Sequence, residues 1–236
     1  GYRPDQAELD AYLAQGAERA MTLGNRGPVR YDADGRLHPD ILDAYWRTGF
    51  YVFESVVGRE ELDEIERDIK AMMDRLPSEQ GSPVDAKGRP ALAADCQAPT
   101  LFWSKPLGDP FGGTELANGR HPVKLLEPTA AAGAPKEVVY LILGSLQFSD
   151  AVLRAYAHPD ILSIAAGING DDFVPFTDAI FIKEPGLGAA VAWHQDGVTH
   201  WNSPDWDQGT HGYNTMLQLY GCTAANGVWV VPGSHK

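Results

Sequence analysis

His194 and Asp196 are the residues whose types and spacing are best suited to binding a metal ion. They lie two positions apart in a run of Val, Ala and Trp residues that has strand character. On a strand, residues i and i+2 project from the same face, so the imidazole and the carboxylate face one point while Gln195 turns away. A 2-His-1-carboxylate iron site presents two of its three ligands in this way. The pair is therefore a candidate metal centre.

The His-x-Asp pattern occurs three times in the chain, so it does not identify a metal site by itself. The other two copies, at 38–40 and 158–160, have Pro in the middle and run directly into helix-like sequence. Proline is favoured in the first turn of a helix, where neighbouring side chains diverge. We predict that these two copies start helices. The copy at 194–196 follows a Gly-rich turn in sequence with strand character, and it is either a metal site or a solvated strand end.

The composition excludes several classes of protein. The chain has 236 residues, 44% of them hydrophobic, which suffices for one large domain or two smaller ones. It has no run of 18 apolar residues, which predicts no membrane span. The net charge of −13 argues against a nucleic acid or an anionic membrane as partner. Two cysteines, Cys96 and Cys222, make no disulfide framework, and no signal peptide is recognisable at Gly1–Asp5, so we expect a cytoplasmic protein.

Helical periodicity with capping residues dominates the first two thirds of the sequence. A long Pro-, Gly- and Ala-rich connection at 77–135 interrupts it and is a candidate for part of a substrate mouth. Helices are predicted at 4–21, 37–47, 59–73, 137–149, 151–157 and 161–166, and short strands at 50–53 and 100–103.

Strand-like sequence begins at Asp172. The stretch 173–182 is predicted to pair with 189–195 across the turn at Pro185-Gly186, and further strands are predicted at 213–220 and 228–231. Helices first and short antiparallel strands afterwards predict an α+β protein built on a sandwich or jelly roll.

Three stretches in this order resemble the phytanoyl-CoA dioxygenase family of non-haem iron, 2-oxoglutarate-dependent oxygenases. The first is the helix-Gly-strand opening at 43–52, the second is the run from Phe181 to Asp196, and the third is the Asn-Gly to Pro-Gly-Ser-His stretch at 226–236. The likeness covers roughly residues 37–236 and is looser through 77–135. The ordered combination is more specific than any one of its parts.

The resemblance implies a fold and a metal centre. The fold is a double-stranded β-helix, a cupin-like jelly roll flanked by N-terminal helices, in a single oxygenase domain over 1–236. Residues 1–171 would form the helical and loop flank, and 172–236 the first part of the jelly roll. Iron would be held by His194, Asp196 and a later His. We expect the rest of the barrel, that His and an Arg for 2-oxoglutarate beyond Lys236, because the 65 residues from Asp172 onward suffice for about half of an eight-stranded barrel. His235 is the alternative third ligand, although in the family this His belongs to a turn.

Other positions carry over from the family by counting from its motifs. Ala179 and Met216 fall where relatives contact 2-oxoglutarate, and Gln218 would share a strand face with Met216. A family Lys near Ser145 has no counterpart, since this neighbourhood is apolar. Trp193 and Trp201 are candidate substrate contacts, with ordinary core or rim positions as the alternative.

The implied activity is hydroxylation of an unactivated C–H of a small organic molecule, with Fe(II), O₂ and 2-oxoglutarate, releasing succinate and CO₂. Asp196 favours hydroxylation because related halogenases replace the carboxylate with a small residue. The loop 200–211, which includes Trp201, is predicted to act as a lid. Lys183 is a strand-end surface charge or a cosubstrate anchor. Two alternatives remain: a catalytically silent jelly-roll binding module, and a cupin-type zinc hydrolase. The sequence does not predict the oligomeric state.

Overall fold

The computed structural model describes residues 5–111, 125–194, 212–224 and 226–235. These residues form a mixture of helices and open sheets. The helices are Gln6–Thr22 (α1), Pro39–Thr48 (α2), Arg59–Met73 (α3), Asp150–Tyr156 (α4) and Pro159–Asn169 (α5). The strands are Arg26–Gly27 (β1), Val52–Phe53 (β2), Leu101–Ser104 (β3), Val138–Leu143 (β4) and Ala179–Phe181 (β5).

The strands form two sheets. Strands β1 and β2 are a parallel pair, and β3, β4 and β5 form an antiparallel sheet in that order. Neither sheet of the described chain closes into a barrel, so the mixed α and β character is confirmed while the jelly roll remains a prediction. In the same residues, no helix has both the length and the apolar character needed to cross a membrane.

The described residues divide into two compact units. Unit 1 combines 5–56 and 159–172 with the described part of 217–235. Unit 2 combines 57–158 with 173–216, again without the undescribed residues. The prediction of a single oxygenase domain over 1–236 stays a prediction.

Both His-Pro-Asp copies start helices, as predicted. Helix α2 begins at Pro39, and the backbone N–H of Asp40 donates to Nδ1 of His38 at 3.2 Å, which satisfies one of the free donors of the first turn. Helix α5 begins at Pro159, and the Asp160 carboxylate in its first turn accepts a hydrogen bond from the Tyr31 hydroxyl. Both motifs therefore lie at helix starts, and the His38 side chain caps its helix.

The Pro-Gly-Ser-His turn at 232–235 caps the carboxyl end of α2. The Gly233 N–H donates to the Thr48 carbonyl at 2.8 Å, and Nε2 of His235 donates to the Trp46 carbonyl at 3.0 Å. Both acceptors belong to the last turn of a helix, where carbonyls have no partner within the helix. The structure thus gives His235 a role in the turn, which is the role that the family resemblance implies.

In unit 2, the core is built on the central strand β4. Val139 and Ile142 of β4 pack with Met72 of α3 and Ile182, and Ile142 is completely buried. Full burial of such a side chain stabilises the fold by about 2–3 kcal/mol. Tyr140 packs with Leu141 and Ala189 in a second cluster.

The predicted helix at 137–149 is wrong. Its first half is strand β4, and a single 3-10 turn follows at Ser145–Gln147. The run Val-Val-Tyr-Leu-Ile-Leu is continuously apolar, so it has no period from which a helix and a strand can be told apart. Its β-branched and aromatic residues favour a strand that is paired on both sides, and the structure shows this arrangement.

Several predicted strands are also shorter than expected or are not strands. Within 173–182 only β5 is paired, and its partner is β4 instead of 189–195. Pro175 has no N–H to contribute to a ladder, and Phe176 beside it is 86% exposed. The described residues of the other predicted strands have no ladder partner in the structure: 189–194, 213–220 and 228–231.

Candidate metal centre

The segment that carries His194 starts from strand β5. Phe181 and Ile180 of β5 pair with Leu141 and Ile142 of β4, and the next residue, Ile182, donates its N–H to the Tyr140 carbonyl at 2.9 Å. Ile182 is 8% exposed and belongs to the core of unit 2. The chain therefore leaves the sheet from a fixed point.

A tight turn follows at Pro185-Gly186, as predicted. The Glu184 carbonyl accepts hydrogen bonds from the N–H groups of Leu187 at 3.1 Å and Gly188 at 2.9 Å. Gly186 has φ of +74°, a conformation that glycine adopts without steric cost. The turn reverses the chain within five residues.

Residues 189–194, here called the ligand segment, run from the turn to the surface. Ala189 is 3% exposed and Ala192 is 1% exposed, whereas the last two residues, Trp193 and His194, are exposed. The Ala190 N–H donates to the Gly108 carbonyl at 2.7 Å, so the ligand segment is fastened to the loop after β3. The buried alanines and this hydrogen bond bring the imidazole to the surface.

The imidazole of His194 has a defined tautomer. Its Nδ1 lies 2.8 Å from the Ala192 carbonyl, and because a carbonyl can only accept, Nδ1 carries the proton. In that tautomer Nε2 has the lone pair, and metal-bound histidines are commonly oriented by such a carbonyl contact. The imidazole that the structure describes therefore fits a divalent iron ion. Among the described residues, no three His, Cys, Asp or Glu side chains form a group that could hold a metal.

Asp196 and Trp201 lie outside the described residues, as does the whole of the predicted lid at 200–211. The assignment of Asp196 as the second ligand therefore stays a prediction. The same holds for substrate contact by Trp201. Trp193, the other candidate substrate contact, is described and is 46% exposed beside His194.

The residues predicted to contact 2-oxoglutarate lie at exposed positions. Ala179 is the first residue of β5 and pairs with Leu143. Met216 is 59% exposed, and Gln218 is also exposed. The prediction that Met216 and Gln218 share a strand face is wrong, because 212–220 is not a strand and has no alternation of faces. Leu141 and Ile142, at the place of the family Lys, are buried in the core.

The sequence analysis did not predict a polar contact of Asp178, the residue directly before β5. The Ser145 hydroxyl donates to Oδ2 of Asp178 at 2.5 Å, and the Leu146 N–H donates to the same oxygen at 3.2 Å. The Gly144 N–H also donates to the Asp178 carbonyl at 3.1 Å. These bonds join the start of β5 to the 3-10 turn after β4, between residues more than 30 positions apart in sequence, and no local pattern marks them.

Among the described residues, four tyrosines have a raised pKa. Burial raises the pKa of Tyr140, and burial together with the nearby Asp178 carboxylate raises the pKa of Tyr156. Burial and the neighbouring Tyr156 raise the pKa of Tyr213 against a lowering hydrogen bond from Thr215, and burial and Asp160 raise the pKa of Tyr31. Each of these phenols is harder to ionise in the folded protein than in the unfolded chain.

These raised pKa values predict a loss of stability in alkali. Just above pH 10, the pKa of the unfolded phenol, the folded state binds more protons than the unfolded state, so stability falls as pH rises through the raised values. The lowered pKa of Lys183 makes stability rise with pH, but this is one group against four tyrosines. We expect the urea midpoint to fall above pH 10, and the Tyr213→Phe variant to show a shallower fall. An equal slope in that variant would contradict the burial of Tyr213.

Comparison with known proteins agrees with the sequence resemblance. Residues 138–236 match the family model of phytanoyl-CoA dioxygenases. The chain is also 24% identical over 210 residues to a phytanoyl-CoA dioxygenase of Arabidopsis thaliana, an alignment that covers 86% of this chain. The chain spans 66% of the length of that relative. No solved structure matches the chain.

Proposed function

We propose that the protein is an Fe(II)- and 2-oxoglutarate-dependent dioxygenase, because residues 138–236 match the family model of phytanoyl-CoA dioxygenases. The proposed reaction hydroxylates an unactivated C–H bond of a small organic molecule. The observation that supports it most directly is His194. Its imidazole stands at the surface end of the ligand segment, in the tautomer suited to metal binding.

In this proposal, His194 and Asp196 hold the iron. Nε2 of His194 is the ligating atom, because Nδ1 donates to the Ala192 carbonyl and thereby fixes the direction of the ring. Asp196 supplies the anionic ligand and fills the position that a halide would otherwise need. Bound iron would supply the redox chemistry that couples oxidative decarboxylation of 2-oxoglutarate to insertion of oxygen into the substrate.

The remaining roles are assigned by position. Trp193 beside the ligand is proposed to contact the substrate from one side, and Trp201 from the loop that follows. Ala179, Met216 and Gln218 are proposed to line the cosubstrate side. The net charge of −13 supports a small organic substrate over a nucleic acid, because a polyanion would be repelled.

The test uses the full-length protein, purified without oxygen, with metal analysis and a succinate assay. The proposal expects iron to bind and 2-oxoglutarate to yield succinate only when Fe(II) and O₂ are both present. A protein that holds zinc and forms no succinate would favour the hydrolase. A protein that binds small molecules without any turnover would favour the silent binding module, and either result would overturn the proposed function.

A further inference from the structure

Strand β5 is followed by the core residue Ile182 and then by Lys183. The side chain of Lys183 folds back over the turn. Its Nζ donates to the Ala189 carbonyl at 2.6 Å, which joins the two ends of the turn that leads to the ligand segment. Lys183 as a whole is exposed, but its ammonium end is drawn against the buried Ala189. This side chain therefore spans the base of the turn.

The backbone at the two ends of the turn is in close contact, with no room for a side chain at Gly188. A Cβ placed on Gly188 would lie 2.9 Å from Cα of Lys183 and 3.2 Å from its Cβ, so the backbone at Gly188 touches the backbone at Lys183. Contacts as short as 2.9 Å do not occur for real Cβ atoms, and this one meets backbone, which cannot rotate away. The close approach puts Ala189 within reach of the ammonium.

Two further hydrogen bonds fasten the turn and the ligand segment to the loop after β3. The Leu107 N–H donates to the Leu187 carbonyl at 3.1 Å, and the Ala190 N–H donates to the Gly108 carbonyl at 2.7 Å. The Lys183 ammonium adds a side-chain bond from the start of the turn to its end. Backbone bonds to the loop and this side-chain bond therefore hold the start of the ligand segment.

The position of the ammonium is unfavourable for a surface lysine. Lysine side chains at the surface normally keep the charged end in water, whereas desolvation here lowers the pKa of Lys183. The side chain gives up hydration and rotamer freedom for one hydrogen bond to a backbone carbonyl. Such a contact is consistent with a role in fixing the backbone beyond it.

We propose that Lys183 is a positioning residue that holds the ligand segment and so fixes the orientation of the His194 imidazole. Its importance for iron binding rests on the proposed function, whereas its effect on His194 does not. The segment between Ala189 and His194 has no ladder partner in the described structure, so the bond at Ala189 is one of few that set its direction.

The test compares Lys183→Met, which keeps the stem but removes the donor, with Lys183→Arg, which keeps a donor. Two measurements need no metal: amide hydrogen exchange at Gly188 and Ala190, and the imidazole tautomer of His194 by nitrogen NMR. We expect Lys183→Met to exchange about tenfold faster at both amides and to lose the single tautomer, with Ile182 as the unchanged reference. Lys183→Arg should restore both.

Iron binding is then measured on the same variants of the full-length protein. Lys183→Met should bind Fe(II) about tenfold more weakly, the size of effect that residues behind metal ligands commonly have. The matched control is Lys70→Met, which removes an ammonium that pairs with Glu66 at 2.6 Å on the surface of α3 and should change none of the readouts.

The outcomes separate this inference from the proposed function. Unchanged exchange and an unchanged His194 tautomer in Lys183→Met would overturn the inference, whatever the iron affinity. Changed exchange with unchanged iron affinity would overturn the link to the metal. Failure of the wild-type protein to bind Fe(II) would overturn the proposed function, while the two metal-free measurements would still decide the role of Lys183.

Discussion

His194→Ala and Asp196→Ala should each reduce succinate formation by at least about a hundredfold. Mutation of a residue that hydrogen-bonds a metal ligand typically costs 10–100-fold in metal affinity or activity, and loss of a ligand itself should cost at least as much. His194→Ala removes the imidazole whose tautomer is set by Ala192, and Asp196→Ala removes the proposed anionic ligand. Succinate release from 2-oxoglutarate and Fe(II) affinity measure the effect in the full-length protein.

The other two His-x-Asp copies provide matched controls. His38→Ala loses a helix cap at Asp40, which costs about 1 kcal/mol of stability, but should leave succinate formation within a few-fold. His158→Ala precedes helix α5 and should also leave activity within a few-fold. If His158→Ala were as damaging as His194→Ala in a folded protein, the assignment of the three copies would be wrong.

Gly49→Ala should destabilise unit 1 by about 3 kcal/mol. Gly49 has φ of +85°, which costs alanine about 1 kcal/mol. The added Cβ would also lie 2.4 Å from Nδ1 and 2.8 Å from Cγ of His235, which forces the capping turn away from α2. Urea unfolding of Gly49→Ala against the wild type measures the loss.

A double-mutant cycle separates the two causes. His235→Ala alone should cost about 1 kcal/mol, because it loses the bond to the Trp46 carbonyl. Combined with Gly49→Ala, it should cost about 1–2 kcal/mol less than the sum of the single changes, since the clash is gone. Gly35→Ala is the matched control, with φ of +76° and nothing within 4 Å, and should cost about 1 kcal/mol. Strict additivity would show that His235 does not pack on Gly49.

The helices could be predicted from the sequence because their signals are local. Pro39 and Gly49 mark the two ends of α2, and both lie within one residue of the observed bounds. The amphipathic run after Gly58 predicts α3 in the same way. Caps and periodicity act over a few residues, so one sequence contains them in full.

The sheet could not be predicted because its pairing is not local. Strand β4 pairs with β3, about 40 positions earlier, and with β5, about 40 positions later. The apolar run of β4 does not identify either partner. It also did not show that β4 is a strand, because 137–149 was predicted as a helix. The expected hairpin does not form between 173–182 and the described residues 189–194: β5 pairs with β4, and its other edge has no ladder partner in the described structure.

The candidate site shows the same division. Residue type and spacing made His194 a candidate ligand, which stays a prediction, and the turn at Pro185-Gly186 was predicted from its residues. The sequence could not show that the Ala192 carbonyl sets the tautomer of His194, nor that Gly108 and Lys183 hold the ligand segment. Such contacts depend on how the backbone folds back on itself, and a spacing pattern does not contain that information.

The central claim is best tested by adding Fe(II) and 2-oxoglutarate to the full-length protein without oxygen. A 2-oxoacid that chelates iron through two oxygens produces a visible charge-transfer band, which reports protein ligands, metal and cosubstrate together. We expect this band in the wild type and in His38→Ala, with one iron per chain, and its loss in His194→Ala. A wild-type protein that binds zinc or no metal and gives no band, or a band that persists in His194→Ala, would contradict the account.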